Sequence, residues 1–134
     1  MKLIISNAPR TKKNHGYVAS LRDGRSFHMP SKAWTHWCKT AGIMCIGLDA
    51  LGCEWMYGHD GQPVYPDEVL NCAAVFYRDA RRGDLVGYMN GLADLLEHRH
   101  IVTNDNQICG WDGTRMELDR ANPRTEIELS EVGV

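Results

Sequence analysis

FYRDARRGDLVGYMNGLADLLEHRHIVTNDNQI, residues 76–108, is the stretch that decides how this chain folds. It opens with a cluster of arginines, reaches an acid at Asp84, and closes with a second acid, Asp105, in a polar turn. Between the two acids, apolar residues recur every three or four positions, a spacing that predicts one amphipathic helix. The stretch therefore predicts a strand, a helix and a turn, with a carboxylate near each end of the helix.

Asp84 stands where a helix N-cap belongs, because a short side-chain oxygen there accepts a hydrogen bond from the first backbone amides. The predicted apolar face of the helix consists of Leu85, Tyr88, Met89, Leu92, Leu95 and Leu96. The basic run at residues 98–100 suits the negative C-terminal end of a helix. Local sequence therefore indicates both ends of this helix.

The first third of the chain predicts a strand, a hairpin and another helix. Leu3–Ile5 is a short apolar run, and residues 17–20 and 25–29 flank an Asp-Gly turn that is typical of hairpins. Apolar residues at helical spacing from Ser31, the predicted N-cap, to Leu48 predict one helix. Its stripe of Trp, Met and Cys is typical of a core, so no small-molecule cofactor is expected.

The remaining segments predict an excursion and the strands of a sheet. Residues 49–68 are rich in Gly and Pro and are predicted to pack on the domain as a long loop. Residues 69–77 are mostly apolar, which predicts a central strand. Gln107–Trp111 and Thr114–Leu118 predict a hairpin, and residues 125–129 alternate as a closing strand. The predicted fold is α+β, with two main helices packed on a mixed sheet.

Length and composition predict one folded domain, residues 1–134. Of the 134 residues, 43% are hydrophobic and 24% are charged, which is typical of soluble globular proteins. No apolar run approaches the roughly 20 residues of a membrane helix, and the N-terminus reads as a strand, not as a signal peptide. Five cysteines without paired spacing indicate reduced thiols, so the expected location is the cytoplasm.

The formal net charge of −2 conceals an uneven distribution. Residues 1–48 contain eight Lys or Arg and one acid, Asp23, whereas the remainder contains seven Lys or Arg and sixteen acids. A basic segment of this kind is typical of a surface that binds a polyanion, although two ordinary solvated surfaces give the same count.

The charges around Asp84 predict a phosphate and metal site. Arg81 and Arg82 bring cations to the same turn, and helix N-termini favour phosphate binding. Asp84 would hold a divalent ion against that phosphate, and Asp105 would supply a second carboxylate if the chain returns beside the first. Hard carboxylate oxygens suit Mg²⁺, with Mn²⁺ as a substitute, and such an ion activates phosphodiester hydrolysis. The plainer interpretations are a helix cap for Asp84 and a turn for Asp105.

A zinc site is the alternative metal hypothesis. Its candidate ligands are Cys45, Cys53, His59 and Cys72. Their spacings are irregular and contain no C-x₂₋₄-C pair, which makes this the weaker hypothesis.

The order of these features resembles the RusA-like Holliday junction resolvases, a family of endodeoxyribonucleases common in phages and prophages. The family pattern places basic residues before D-L-D-N at a helix start, and D-D-x-Q in a turn before a strand. Here the first place reads Arg81-Arg82-Gly83-Asp84-Leu85-Val86-Gly87 and the second reads Asn104-Asp105-Asn106-Gln107-Ile108. The closing Asn122–Ile127 segment and the Lys12–His15 loop also match, so the resemblance covers most of the chain.

The resemblance implies a homodimer that binds four-way DNA junctions and cuts symmetrically related strands, using Mg²⁺ held by acids from each subunit. Asp84 and Asp105 would then be the catalytic metal ligands. The implied DNA contacts are Lys12, Lys13, Asn14, Arg78, Arg81, Arg82 and Asn90. The expected location becomes the cytoplasm of a bacterial or phage-infected cell.

Three departures from the family pattern leave a second hypothesis open. Val86 stands where the family has its second acid, Gly87 stands where it has an asparagine, and Asn90 stands where it often has a lysine. Losing one carboxylate weakens the binding of a hard cation, and Asp79 is a candidate replacement. Asp94 is a less plausible replacement, because ten residues of helix separate it from Asp84. The alternative to a junction-resolving endonuclease is therefore a branched-DNA-binding dimer with weak or lost nuclease activity.

Overall fold

The computed structural model describes residues 1–8, 17–20, 22–29, 32–46, 62–81 and 83–133. The strands are β1 (Lys2–Ser6), β2 (Tyr17–Ser20), β3 (Ser26–Met29), β4 (Ile43–Ile46), β5 (Leu70–Arg78), β6 (Ile108–Gly110), β7 (Arg115–Leu118) and β8 (Arg124–Glu131). The described helices are α1 (Lys32–Thr40) and α2 (Leu85–His98), and a 3₁₀ turn spans Asp105–Gln107. Within these ranges, no helix has the length and apolar character needed to cross a membrane.

One mixed sheet organises the fold, in the strand order β4-β1-β8-β5, with β6 and β7 both beside β5 on its other side. β1 pairs antiparallel with β4 and with β8, and β8 pairs antiparallel with β5. β6 and β7 run parallel to β5, while β2 and β3 form a separate antiparallel hairpin. The predicted α+β class, mixed sheet, first hairpin and central position of β5 are confirmed.

The core lies between one face of this sheet and the two helices. Alternate residues of β5, from Leu70 to Phe76, are buried, and those between them are half-buried on the other face. β8 adds Thr125, Ile127 and Leu129 to the buried face. The buried residues of α2 include Tyr88, Leu92, Leu95 and Leu96. Burial of one large apolar side chain stabilises the fold by about 1.5–3 kcal/mol.

The prediction that the first helix continues to Leu48 is wrong, because α1 ends at Thr40 and is followed by β4. At Gly42 the chain turns towards β1. The Gly42 amide donates to Ser6 Oγ at 2.8 Å, and its carbonyl accepts from the Ser6 amide at 2.9 Å. Pairing with β1 then satisfies the backbone of a segment that contains two β-branched isoleucines, which favour strands. The predicted N-cap, Ser31, lies outside the described residues.

The predicted hairpin at residues 107–118 is also wrong. β6 and β7 both add to the same edge of β5, with Ile108 opposite Leu70 and Arg115 opposite Val75. The crossover through α2 brings the chain back parallel to β5, and both short strands then pair with the edge that β5 offers. The intervening Asp-Gly forms a turn in an interrupted edge strand, not the tip of a hairpin.

Between β6 and β7, two side chains supply the hydrogen bonds that connect this part of the chain to β5. Asn71 on β5 donates to the Asp112 carbonyl at 3.3 Å and accepts from the Asp112 amide at 3.0 Å. The Thr114 hydroxyl donates to the Cys72 carbonyl and accepts from the Ala74 amide, each at 3.1 Å. The β5 backbone is thereby satisfied where neither strand lies beside it.

The predicted excursion at residues 49–68 lies mostly outside the described residues, which resume at residue 62. The Val64 amide donates to the His100 carbonyl at 3.1 Å, and the Tyr65 amide donates to the Ile101 carbonyl at 2.8 Å. The described part of the excursion therefore packs on the domain, as predicted, and does so where α2 ends.

Arg99, just after α2, holds the end of α1. Its guanidinium donates to the Cys38 carbonyl at 3.1 Å and to the Ala41 carbonyl at 2.8 Å. Carbonyls at a helix C-terminus have no partner within the helix. Arg99 therefore satisfies this helix end and joins the two helices.

We expect Arg99→Met to lower the free energy of unfolding by about 2 kcal/mol, because it removes charge-assisted hydrogen bonds from half-buried carbonyls. Urea denaturation followed by circular dichroism measures this change. Arg120→Met, which replaces an exposed arginine, is the control and should be nearly neutral. Equal stability of the two variants would contradict the capping role.

Candidate functional site

One end of the sheet gathers the segments that the sequence predicts to bind phosphate. β1 and β5 are both antiparallel to β8 and are therefore parallel to each other. Ser6, Arg124 and Tyr77 lie in one row across the three strands. Two strand spacings, about 10 Å, separate the ends of β1 and β5. The chain thus leaves both strands at the same end of the sheet.

At this end, β1 is tied to the closing strand. The Asn7 amide donates to the Pro123 carbonyl at 3.1 Å, and the Asn7 carbonyl accepts from the buried Thr125 hydroxyl at 3.0 Å. Asn7 has a φ of 66°, which non-glycine residues seldom adopt and asparagine tolerates best. The predicted DNA-binding residues Lys12, Lys13 and Asn14 come after this point and, like Arg82, lie outside the described residues.

Arg124, in the same row, is a cation whose charge is compensated within the fold. Its guanidinium carbon lies 3.8 Å from the centre of the Tyr77 ring. It donates to the carboxylates of Asp119 at 2.8 Å and Glu126 at 3.2 Å. The hydrogen bond from Arg124, followed by that from the Asn122 amide, lowers the pKa of the Asp119 carboxyl. Arg124 therefore stabilises this end of the sheet.

The turn from β5 to α2 is shaped by the buried Tyr88 ring. The ring centre lies 5.5 Å from that of Phe76, and the Arg78 guanidinium carbon lies 6.0 Å from the Tyr88 centre. Gly83 has a φ of 75°, and a Cβ added there would be 3.2 Å from the Tyr88 ring. Glycine is therefore required by the turn itself. Arg81, in contrast to Arg78, is exposed.

Asp84 is the N-cap of α2, as predicted. Its exposed carboxylate accepts from the Gly87 amide at 2.7 Å. Val86, in the first turn of the helix, is 63% exposed and therefore contributes little to the core. An acid would fit at this position without disturbing the packing. Asn90 on α2 and Asp79 in the preceding turn are also exposed.

Asp105 belongs to the 3₁₀ turn, whose backbone is fixed by two side chains. The Asn104 side chain accepts from the Asn106 amide at 3.0 Å. Gln107 is buried, and its Oε1 accepts from the amides of Thr103 and Asn104 at 2.8 and 2.9 Å. The turn is thus capped at its start and held from within.

Gln107 also joins this turn to the segment that enters β5. Its Nε2 donates to the carbonyls of Tyr65 and Glu68 at 3.0 and 3.1 Å. One buried amide therefore satisfies four backbone groups from two segments. Asp105, two residues away, remains exposed on a turn with a fixed backbone.

Asp105 lies beside two acids of α2 and far from Asp84. Carboxylate oxygens of Asp94, Glu97 and Asp105 all lie within 4.8 Å of one another. Asp94 and Glu97 are ten and thirteen residues beyond Asp84, which is about 15 and 20 Å along a helix axis. A single chain therefore does not bring the two predicted ligands together, because the helix between them keeps them at its opposite ends.

Sequence reasoning considered Asp94 only as a ligand beside Asp84 and did not predict that Asp94 and Glu97 lie beside Asp105. Asp94 and Glu97 are three residues apart and so share one helix face, a pattern that is visible in the sequence. Their closeness to Asp105 depends on where the chain returns after α2, which no local pattern indicates. The role of Gln107 was missed for the same reason, because its burial follows from the packing of two distant segments.

The alternative zinc hypothesis fails on distance. β1 and β8 lie between the strands that carry Cys45 and Cys72, which separates their backbones by about 14 Å. Two sulfurs bound to one zinc ion are about 4 Å apart, so these two cysteines do not share an ion. Burial also raises the pKa of the Cys72 thiol to about 12, whereas zinc binds the thiolate. Cys53 and His59 lie outside the described residues.

We expect Gln107→Glu to lower the free energy of unfolding by about 2–4 kcal/mol at neutral pH, because a buried carboxylate would face two carbonyls with no proton to donate. Urea denaturation measures the loss. Asn106→Asp adds the same charge at an exposed position of the same turn and should cost less than about 0.5 kcal/mol. If the two variants were equally stable, the four hydrogen bonds of Gln107 would not be what holds the turn.

No protein-family model matches this chain, and no curated protein matches it.

Proposed function

We propose that this protein is a metal-dependent endodeoxyribonuclease that resolves four-way DNA junctions by paired nicks, in DNA recombination and repair. It acts as a homodimer in which Asp84 and Asp105 are the catalytic carboxylates. Mg²⁺ is the metal, and Mn²⁺ can replace it. Support comes from the RusA-like order of the motifs and from one geometric observation, the common end of β1 and β5.

At this common end, two charged segments leave the sheet two strands apart. One is the basic segment that follows Asn7, and the other is the turn that carries Arg78, Arg81 and Asp84. In open α/β sheets, ligands bind beyond the carboxyl ends of the parallel strands. This end of the sheet lies beyond the carboxyl ends of β1 and β5. Cations from both segments would hold DNA phosphates near Asp84, and binding should weaken steeply with salt because each neutralised phosphate releases counterions.

The donor set around Asp105 fits a hard divalent cation. Asp94, Glu97 and Asp105 each offer a carboxylate oxygen within 4.8 Å of the others, and oxygens on opposite sides of Mg²⁺ are about 4.2 Å apart. Carboxylates this close repel one another, so a cation beside them would be stabilising. When bound, Mg²⁺ polarises a phosphodiester and lowers the pKa of bound water.

A second subunit would supply the acid that one chain cannot. Asp84 and Asp105 of one chain lie at opposite ends of α2. In a two-fold dimer, each contact between two surfaces occurs twice. Asp84 of one subunit would meet Asp105 of the partner subunit, which gives two equivalent sites, one for each strand that is cut.

We expect purified protein with Mg²⁺ to make paired nicks in a synthetic four-way junction, and Asp84→Asn to slow cleavage by about 100-fold or more. Asparagine is also a good N-cap, so the variant should keep its stability and its junction binding. Glu128→Gln, which removes an exposed carboxylate from β8, is the control and should cut normally. Absence of nicks, or full cleavage by Asp84→Asn, would reject the proposed activity.

Mixing two inactive variants tests whether the acids act across the dimer. After subunit exchange, each heterodimer of Asp84→Asn with Asp105→Asn has one intact site if the acids come from different subunits. About a quarter of all sites would then recover, and the recovered product would be nicked in one strand per dimer. If the acids acted within one chain, no heterodimer would contain an intact site and the mixture would stay inactive.

The exposure of Val86 favours a second candidate function, a dimer that binds branched DNA but cuts it poorly. In the family pattern this position is an acid. An exposed valine offers no metal ligand, so the cation would be held by fewer anionic oxygens. Junction binding would then be retained, because it depends on the Lys and Arg side chains that contact phosphates and not on the metal ion.

We expect Val86→Asp to raise Mg²⁺ affinity and cleavage rate by about tenfold if the wild type cuts poorly. The side chain is exposed, and an acid in the first helical turn interacts favourably with the helix dipole, so stability should not fall. Val132→Asp, at another exposed valine, is the matched control. A wild type that already cuts as fast as Val86→Asp would dispose of the binding-only alternative.

A further inference from the structure

β7 forms an outer edge of the sheet. In the part of the chain that the structure describes, β7 pairs with β5 and no strand pairs with its other side. The side chains of Arg115 and Glu117 are 58% and 47% exposed. An exposed edge offers unpaired backbone N–H and C=O groups to another strand.

Arg115 and Glu117 lie on the face of the sheet that points away from the core. They are aligned with Val75 and Tyr77 of β5, and Arg115 Nε lies 3.0 Å from Glu117 Oε1. Met116, between them, packs against the core. The edge therefore presents one positive and one negative charge on the same face, two positions apart.

We propose that two copies of this chain pair antiparallel along β7, about a two-fold axis at Met116, and so form one continuous sheet. In this register, Arg115 lies opposite Glu117 of the partner subunit, and Glu117 lies opposite the partner's Arg115. Directly opposite residues in an antiparallel pair point to the same face with Cβ atoms about 4.5–5.5 Å apart. Both charge pairs therefore form salt bridges across the new interface.

Charge selects this register over its neighbours. An axis at Arg115 would set two arginines opposite each other, and an axis at Glu117 would set two glutamates opposite each other. Like charges directly opposite each other destabilise a strand pair. Charged residues on an edge strand ordinarily keep copies apart, but here the two charges complement themselves under the two-fold rotation about Met116.

The same rotation also places the two proposed catalytic acids, Asp84 and Asp105, relative to each other. This part of the inference rests on the proposed function. β6 begins opposite Leu70, so Asp105 lies at the amino end of β5, whereas Asp84 follows the carboxyl end. Antiparallel pairing of the two edges sets the carboxyl end of each β5 towards the amino end of the other. It therefore brings Asp84 and the partner subunit's Asp105 to the same end of the joined sheet.

Sedimentation equilibrium without DNA or metal tests the interface independently of cleavage. We expect the wild type to dimerise, Arg115→Glu and Glu117→Arg each to raise the dimer dissociation constant by about tenfold or more, and the double exchange to restore it. Glu128→Arg reverses an exposed charge on β8, away from the edge, and should leave the dimer unchanged. A monomeric wild type, or a dimer indifferent to both reversals, overturns the edge pairing. Junction cleavage by such a protein would still support the proposed activity.

Cross-linking tests the register. In a background carrying Cys109→Ser, which removes an exposed cysteine, Met116→Cys should form a disulfide-linked dimer on mild oxidation. Two cysteines at the axis face each other at a separation that a disulfide spans. Leu118→Cys, which lies opposite Thr114 of the partner subunit in this register, should remain unlinked. Faster linkage at Leu118→Cys, or none at Met116→Cys, overturns the axis at Met116.

Discussion

The antiparallel pairing of β5 with β8 is the interaction on which the rest of the structure depends. It joins eight residue pairs, from Leu70 with Glu131 to Tyr77 with Arg124. A slip of one residue would turn the buried residues of β5 to the opposite face. β1 also pairs with β8. The strand registers that keep the apolar side chains buried therefore also make β1 and β5 parallel, with their ends in one row. The core therefore determines where the basic segment and the Asp84 turn emerge.

The length of α2 imposes a second constraint. Its 14 residues extend about 21 Å, with the Asp84 cap at one end and the Asp105 turn near the other. The helix returns along β5, so the two acids lie at opposite ends of the same strand. A site that needs both acids therefore needs two chains. The complementary charges on β7 offer one way for two chains to meet.

At three places where regular backbone hydrogen bonding stops, polar side chains supply the missing partners. Thr114 satisfies β5 between two short edge strands, Arg99 satisfies the end of α1, and Gln107 satisfies four backbone groups around the Asp105 turn. Each prevents the cost of a buried backbone group without a partner, about 1–3 kcal/mol. Gln107 lies in the motif that resembles the resolvase pattern. Its contacts give Gln107 a structural role, whereas the role proposed for Asp105 in the same turn is catalytic.

The sequence by itself determined the elements whose causes are local. An N-cap, a helical period and a basic end define α2, alternation defines β8, and an apolar run defines β5. The same reasoning identified Asp84 as a helix N-cap and Asp105 as part of a polar turn. Only the tertiary structure decided that Ile43–Ile46 is a strand, that β6 and β7 both join β5, and that Asp105 faces Asp94 and Glu97. These outcomes depend on strand edges and helix ends supplied by residues distant in sequence, and no pattern within a segment records which partner will satisfy it.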